Sequence, residues 1–204
     1  MGDLCEPLHD VFTWADQRRR TQLPELDGHP NYRWHATHTV RALAHLRLGE
    51  IKKKLGVWVL AGNHARNGEL WLAGDGYRTR VLHAVHDADV PAPGSNGQRR
   101  AFYRNLPLFH MDPQQRLVGP HNDRLLIVWR IDPKSGVPAF RVVRPIGNWD
   151  FGDHAQTDLD FILPETAEDL AALEFQPSDE GMELDIPNED ELEGGSKDAG
   201  GSAG

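Results

Sequence analysis

Residues 125–144 hold the reading that decides the fold. Leu125-Leu126-Ile127-Val128-Trp129-Arg130-Ile131 is followed by Asp132-Pro133-Lys134-Ser135-Gly136, and then by Ala139-Phe140-Arg141-Val142-Val143-Arg144. β-branched and aromatic residues on both sides of an Asp-Pro-Lys-Ser-Gly turn predict a β-hairpin. The second arm alternates, which sets Arg141 across from the face holding Phe140 and Val142. The first arm is almost wholly apolar, as expected of a strand in the middle of a sheet.

Upstream, Val57-Trp58-Val59-Leu60 and Glu69-Leu70-Trp71-Leu72-Ala73 flank a polar loop at Asn67-Gly68, predicting a second hairpin. Arg80 to Val90 is apolar enough to be buried and fits a strand or a helix. Before the first hairpin the period is helical. Leu8, Val11, Phe12 and Ala15 share a face of one helix over residues 8–20. Pro24, Gly28 and Pro30 then make a loop. A second helix runs from about Tyr32 to Leu55, with Val40, Leu43, Ala44, Ile51 and Leu55 as its apolar stripe and Gly56 as its C-cap. Thr166 caps a short last helix reaching about Phe175. The expected class is α+β: N-terminal helices, then a mainly antiparallel sheet.

Charge divides the chain in two. Residues 1–163 carry 21 Lys and Arg against 18 Asp and Glu, a formal +3, while residues 164–204 carry Lys197 against 13 acids, a formal −12. The expected organisation is a single domain over 1–175 and an acidic, disordered tail over 176–204, ending in Gly and Ser and too poor in large apolar residues to offset its ordering entropy. The lone cysteine, Cys5, excludes an internal disulfide framework and a cysteine-based zinc site. Near an exposed terminus it suits a reducing compartment. No signal-peptide pattern and no apolar run of spanning length occur, so a cytoplasmic protein without membrane contact is expected.

Several enzyme classes are excluded by absent motifs. None of the five serines stands in Gly-x-Ser-x-Gly, there is no phosphate-binding Gly-x-x-x-x-Gly-Lys-[Ser/Thr], and His-Glu-x-x-His is missing. Gly74-Asp75-Gly76 lacks the third glycine of a dinucleotide loop.

Three groups of residues remain as candidates. Arg99, Arg100, Phe102, Tyr103 and Arg104 interleave cations with aromatics, the composition that grips phosphates while stacking on bases, or docks an acidic peptide. His38, Arg41 and His45 recur on one face of the second helix, opposite its apolar stripe, and suit an anionic partner. His83, His86, Asp87 and Asp89 would bring metal ligands together if their segment were helical, whereas a strand would send His83 and His86 to opposite sides.

The expectation is a non-catalytic cytoplasmic regulatory or interaction protein of the antitoxin, immunity or adaptor type. It would use no cofactor and bind a protein, or else a nucleic acid, through an Arg/aromatic surface and an acidic tail. The alternative is a hydrolase or nuclease using zinc or another divalent metal at residues 83–89.

Overall fold

Two helices and two hairpins form where the sequence periods change. The computed structural model describes residues 1–65, 68–74, 76–86, 89–93, 97–105, 123–148 and 154–173. Met1–Leu173 cluster as one compact unit. The acidic segment 176–204, and with it the expectation of disorder, lies outside the described residues.

Helix α1 spans Cys5–Gln22, longer than the expected 8–20, and buries Leu8, Val11, Phe12 and Ala15 as its period requires. Its first residue, Cys5, is fully buried, which corrects the expectation of an exposed thiol. Burial pushes that thiol's pKa up, so it is a poor nucleophile at neutral pH. Two short 3-10 turns, Pro24–Leu26 and Pro30–Tyr32, each start on a proline and carry the chain to helix α2, Arg33–Glu50. Helix α2 stops short of the expected Leu55. A 3-10 turn over Lys52–Lys54 follows it, and Gly56 then takes φ +57°, where a Cβ would strike the Asp3 carboxylate. Leu48, absent from the expected stripe, is buried with Val40 and Ala44.

Six strands form one sheet in chain order: β1 Val59–Ala61, β2 Trp71–Gly74, β3 Tyr77–His83, β4 Asp123–Ile131, β5 Pro138–Ile146 and β6 Gln156–Leu163. All pairings are antiparallel except β3 with β4, which run parallel and pair His83 with Trp129. The ambiguous segment after Arg80 is therefore strand only as far as His83. A parallel pair needs a crossover, and that crossover carries helix α3, Gly97–Phe102.

The 125–144 hairpin pairs Trp129 with Phe140 and Ile131 with Pro138. In its turn the Asp132 carboxylate accepts the Ser135 and Lys134 backbone N–H groups at 2.7 and 2.9 Å, and these bonds hold its pKa below the usual range. Gly136, at φ +73°, closes the turn.

Both faces of the sheet are covered, which explains the continuous apolar run of β4. Ile127, Trp129, Phe140 and Val142 meet the buried faces of α1 and α2. Leu126, Val128 and Val143 point the other way, against Phe102 and Tyr103 at α3. Helix α4, Ala167–Ala171, ends before the expected Phe175. Thr166 caps it as anticipated, accepting the Asp169 N–H at 3.0 Å. Among the described residues no helix is long and apolar enough to cross a membrane.

Candidate binding groove

The C-terminal ends of the parallel pair, β3 and β4, stop against the connection between α1 and α2, and a groove of about 670 Å³ opens between them. Its first wall is the loop and helix start from Leu26 to Val40, which sets Tyr32, Arg33 and Trp34 at the mouth. Its second wall is built from strand ends: His83 at the end of β3 and Val85 beyond it, and Trp129, Ile131 and Pro133 along β4 and its turn. Tyr32, Trp34 and Val85 are 42%, 60% and 71% exposed, an unusual gathering of large apolar side chains in water at one opening. Such concave sites between elements, mostly apolar with a few placed polar groups, are the usual form of a binding site.

The polar groups of the groove divide into satisfied and available sets. Asp16, at the C-terminal half of α1, accepts from Arg19 at 2.8 and 3.0 Å and from Arg20 at 2.6 Å. Asp27 accepts from Nη2 of Arg19, the nitrogen that also donates to Asp16, at 2.8 Å. Two aspartates and two arginines thus neutralise one another along one side. Arg33 is exposed and has no ion-pair partner among the described residues. Helix α2, whose first turn lines the groove, begins at Tyr32 without a side-chain cap, so the positive end of its dipole is not offset there. His29 stacks obliquely on Tyr32 at 4.8 Å between ring centres. Trp129, 2% exposed, forms part of the floor, and its indole N–H is buried without an acceptor. His83 meets the Trp129 ring edge-on at 4.6 Å.

Burial pushes the pKa of His83 down, and the positive charges of Arg41 and Arg130 push it the same way. Its imidazole is therefore neutral at pH 7.

The candidates from the sequence fall in different places. Phe102 and Tyr103 are buried in the second core cluster, and the Tyr103 hydroxyl donates to the Pro91 carbonyl. This corrects the expectation that they stand on a surface: the last residue of α3 and the turn residue after it both face the sheet, so the two aromatics fill the core. Arg104 is exposed and Arg100 half-buried, while the Arg99 side chain lies outside the described residues. Helices α2 and α3 pack on opposite faces of the sheet, and of the two candidate groups Arg41 and Tyr103 line one small cavity of about 180 Å³ together with Arg80, Pro91 and Ala92.

That ridge was expected to face away from the core, into solvent. His38 does, and its Nδ1 accepts from Arg41 at 2.9 Å. His45 instead stacks on His64 of the β1–β2 connection, 3.8 Å between ring centres and 16° from parallel, and the Nδ1–H of His64 donates to the Glu69 carbonyl at 2.9 Å. The hairpin connection lies over half of the ridge.

Nor do the described metal candidates, His83, His86 and Asp89, converge. His83 ends a strand on the helix-bearing face and His86 is exposed in the bend beyond it. Asp89 acts on Arg141, whose side of β5 is opposite to that of Phe140, and Asp87 lies outside the described residues. Among the described residues no three His, Cys, Asp or Glu side chains are grouped to hold a metal ion.

The residues at the groove mouth escaped the sequence reading. The available signal was Tyr32-Arg33-Trp34 at a loop–helix junction, with Trp34 off the Val40–Ala44–Leu48 stripe. A tryptophan there has no core to enter. No protein-family model, no curated protein and no solved structure matches the chain.

Two of these histidines give a testable pH dependence. His45 is held below its ordinary pKa by burial and by His64, and His83 by burial and two arginines. Above about pH 6.5 these groups are neutral both folded and unfolded. Below it the unfolded chain takes up protons that the folded one resists, so stability falls with pH until the lowered folded pKa values are passed. The urea midpoint is expected to drop between pH 7.5 and 5.5, and His45→Gln/His83→Gln should flatten the drop. An equal drop in the double variant would show that neither histidine carries it.

Proposed function

We propose that the protein is a non-catalytic regulatory or interaction protein of the cytoplasm, of the antitoxin, immunity or adaptor kind, and that the groove between Trp34 and Val85 holds a segment of a protein partner. The observation that carries this reading is the gathering of Tyr32, Trp34 and Val85, exposed and apolar, around a floor of Trp129 and His83. Leaving such surface in water costs free energy that a partner would recover. Aromatic residues beside arginine are the pattern of interface hot spots. The acidic segment from residue 176 belongs to the same reading as a charged arm that alters association rate and salt dependence more than it alters the contact itself.

Affinity capture with the full chain at physiological salt tests the reading, comparing wild type, Trp34→Ser/Val85→Ser and Val59→Ser. Val59 is equally exposed but lies on β1, outside the groove. A stoichiometric protein partner retained by wild type and Val59→Ser is expected to bind the double variant at least about 30-fold more weakly, the loss that follows from about 2 kcal/mol at a hot-spot tryptophan. Equal retention by all three chains would remove the groove from the contact. Retention that nuclease treatment abolishes would replace the protein partner with nucleic acid.

A further inference from the structure

The polar groups of the groove go further and specify the partner's chemistry. This step rests on the groove being the contact surface. We infer that the groove takes an acidic peptide segment, with one carboxylate received by Arg33 at the uncapped start of α2 and bulky apolar side chains set against Trp34 and Val85.

Charge accounts for the first half of the inference. Arg19 and Arg20 are matched by Asp16 and Asp27, which leaves Arg33 as the cation at the mouth without a carboxylate among the described residues. The start of α2 adds partial positive charge at the same wall. His83, kept neutral first by its burial and then by Arg41 and Arg130, adds one donor and one acceptor. Arg33 and the start of α2 both ask for negative charge and an acceptor oxygen.

The second half follows from shape and from how little charge is left over. One uncompensated guanidinium matches a monoanionic carboxylate bidentately, whereas a phosphate dianion would leave charge unbalanced in a half-enclosed site. The apolar mouth then needs side chains of its own kind beside the acid. A peptide mixing acidic and large aliphatic residues meets both requirements, and a groove of about 670 Å³ holds several such residues.

Calorimetric titration of the full chain with acetyl-(Leu-Glu)3-amide at 50 mM salt tests the inference. Acetyl-(Leu-Lys)3-amide, acetyl-(Ser-Glu)3-amide and adenosine monophosphate serve as comparison probes. Measurable binding is expected for the Leu-Glu peptide alone, weakened about 10-fold or more by Arg33→Gln, by Trp34→Ser and by 500 mM salt. Far-ultraviolet circular dichroism confirms that each variant is folded. Equal binding of the Leu-Glu and Leu-Lys peptides would leave an apolar groove without anion selectivity and overturn the inference, as would binding of the nucleotide in place of the peptide, or affinity indifferent to Arg33→Gln. If Trp34→Ser/Val85→Ser loses its captured partner while the Leu-Glu peptide does not bind, the groove remains the contact surface and the acidic specificity fails by itself.

Discussion

Phe12→Ala is expected to lower the unfolding free energy by about 3–5 kcal/mol and the melting temperature by on the order of 10 °C. Phe12 is fully buried on α1, its ring centre 4.9 Å from Trp129 and 5.1 Å from Phe140. Those two partners face each other across the β4–β5 pairing, so one side chain joins the first helix to both arms of the central hairpin. Truncation removes the aromatic surface and leaves a space bounded by rigid strands that cannot close over it, so the cavity cost adds to the lost transfer energy. Gln17→Ala, on the exposed side of the same helix, should stay within about 0.5 kcal/mol. Thermal and urea unfolding followed by circular dichroism measure both. A loss below 1 kcal/mol for Phe12→Ala would mean that α1 does not dock on the sheet as described.

That hairpin also shows why most of the fold could be read from the chain. Its turn chemistry is local, its strands are long and β-branched, and the Arg141 alternation marks the side turned from α1 and α2. The helices announce themselves by period, and Thr166 by its position before two acids. What could not be read is what depends on residues far apart. The parallel direction of β3 and β4 follows from where the long crossover returns, and no residue in either strand encodes it. The end of β3 at His83 is set by pairing with Trp129, not by any breaker in His83-Ala84-Val85-His86. Helix α2 ends at Glu50 because the chain must turn at Gly56 against Asp3, a contact across 53 residues.

The site was less legible for the same reason, and for a further one. Arg99–Arg104 drew attention by composition, but composition does not say which side of a segment faces a sheet, and Phe102 and Tyr103 turned inward. The groove draws on four separate stretches, around residues 16–20, 26–40, 83–85 and 129–133. In each stretch the contributing residues look ordinary: cations at a helix end, a proline–glycine loop, the end of a strand. Only the closing of the sheet against the helix connection gathers them. His83 was singled out for metal binding by its neighbours in sequence, whereas its place in the fold, buried against the Trp129 ring and with Arg41 and Arg130 acting on it, keeps it neutral.

Asp16→Ala is expected to cost about 3–5 kcal/mol, out of proportion to the few atoms removed, because it strips the carboxylate from a buried arginine. Asp16 and Arg19 are each 5% exposed in their side chains, and Asp16 also receives Arg20. The Arg18-Arg19-Arg20 run therefore does more than complement a helix C-terminus. Two of its members are folded back on an acid one turn earlier and define one side of the groove. In Asp16→Ala, Arg19 keeps only Asp27, whose carboxylate is about one-third exposed and so screened by water. The charge remains buried and half-matched. Removing both members, as Asp16→Leu/Arg19→Met, should recover most of the loss, since apolar groups of similar volume replace a pair whose desolvation nearly cancels its attraction. Arg20 and Asp27, closest at 3.6 Å, would then bond to each other. The comparison separates two explanations that a single variant leaves joined. If Asp16 acts by matching Arg19, urea midpoints will rank wild type near the double variant, with Asp16→Ala well below. If Asp16 is instead needed for the shape of the α1–α2 connection, both variants will fall together, and the Trp34 fluorescence at the groove mouth will shift in both.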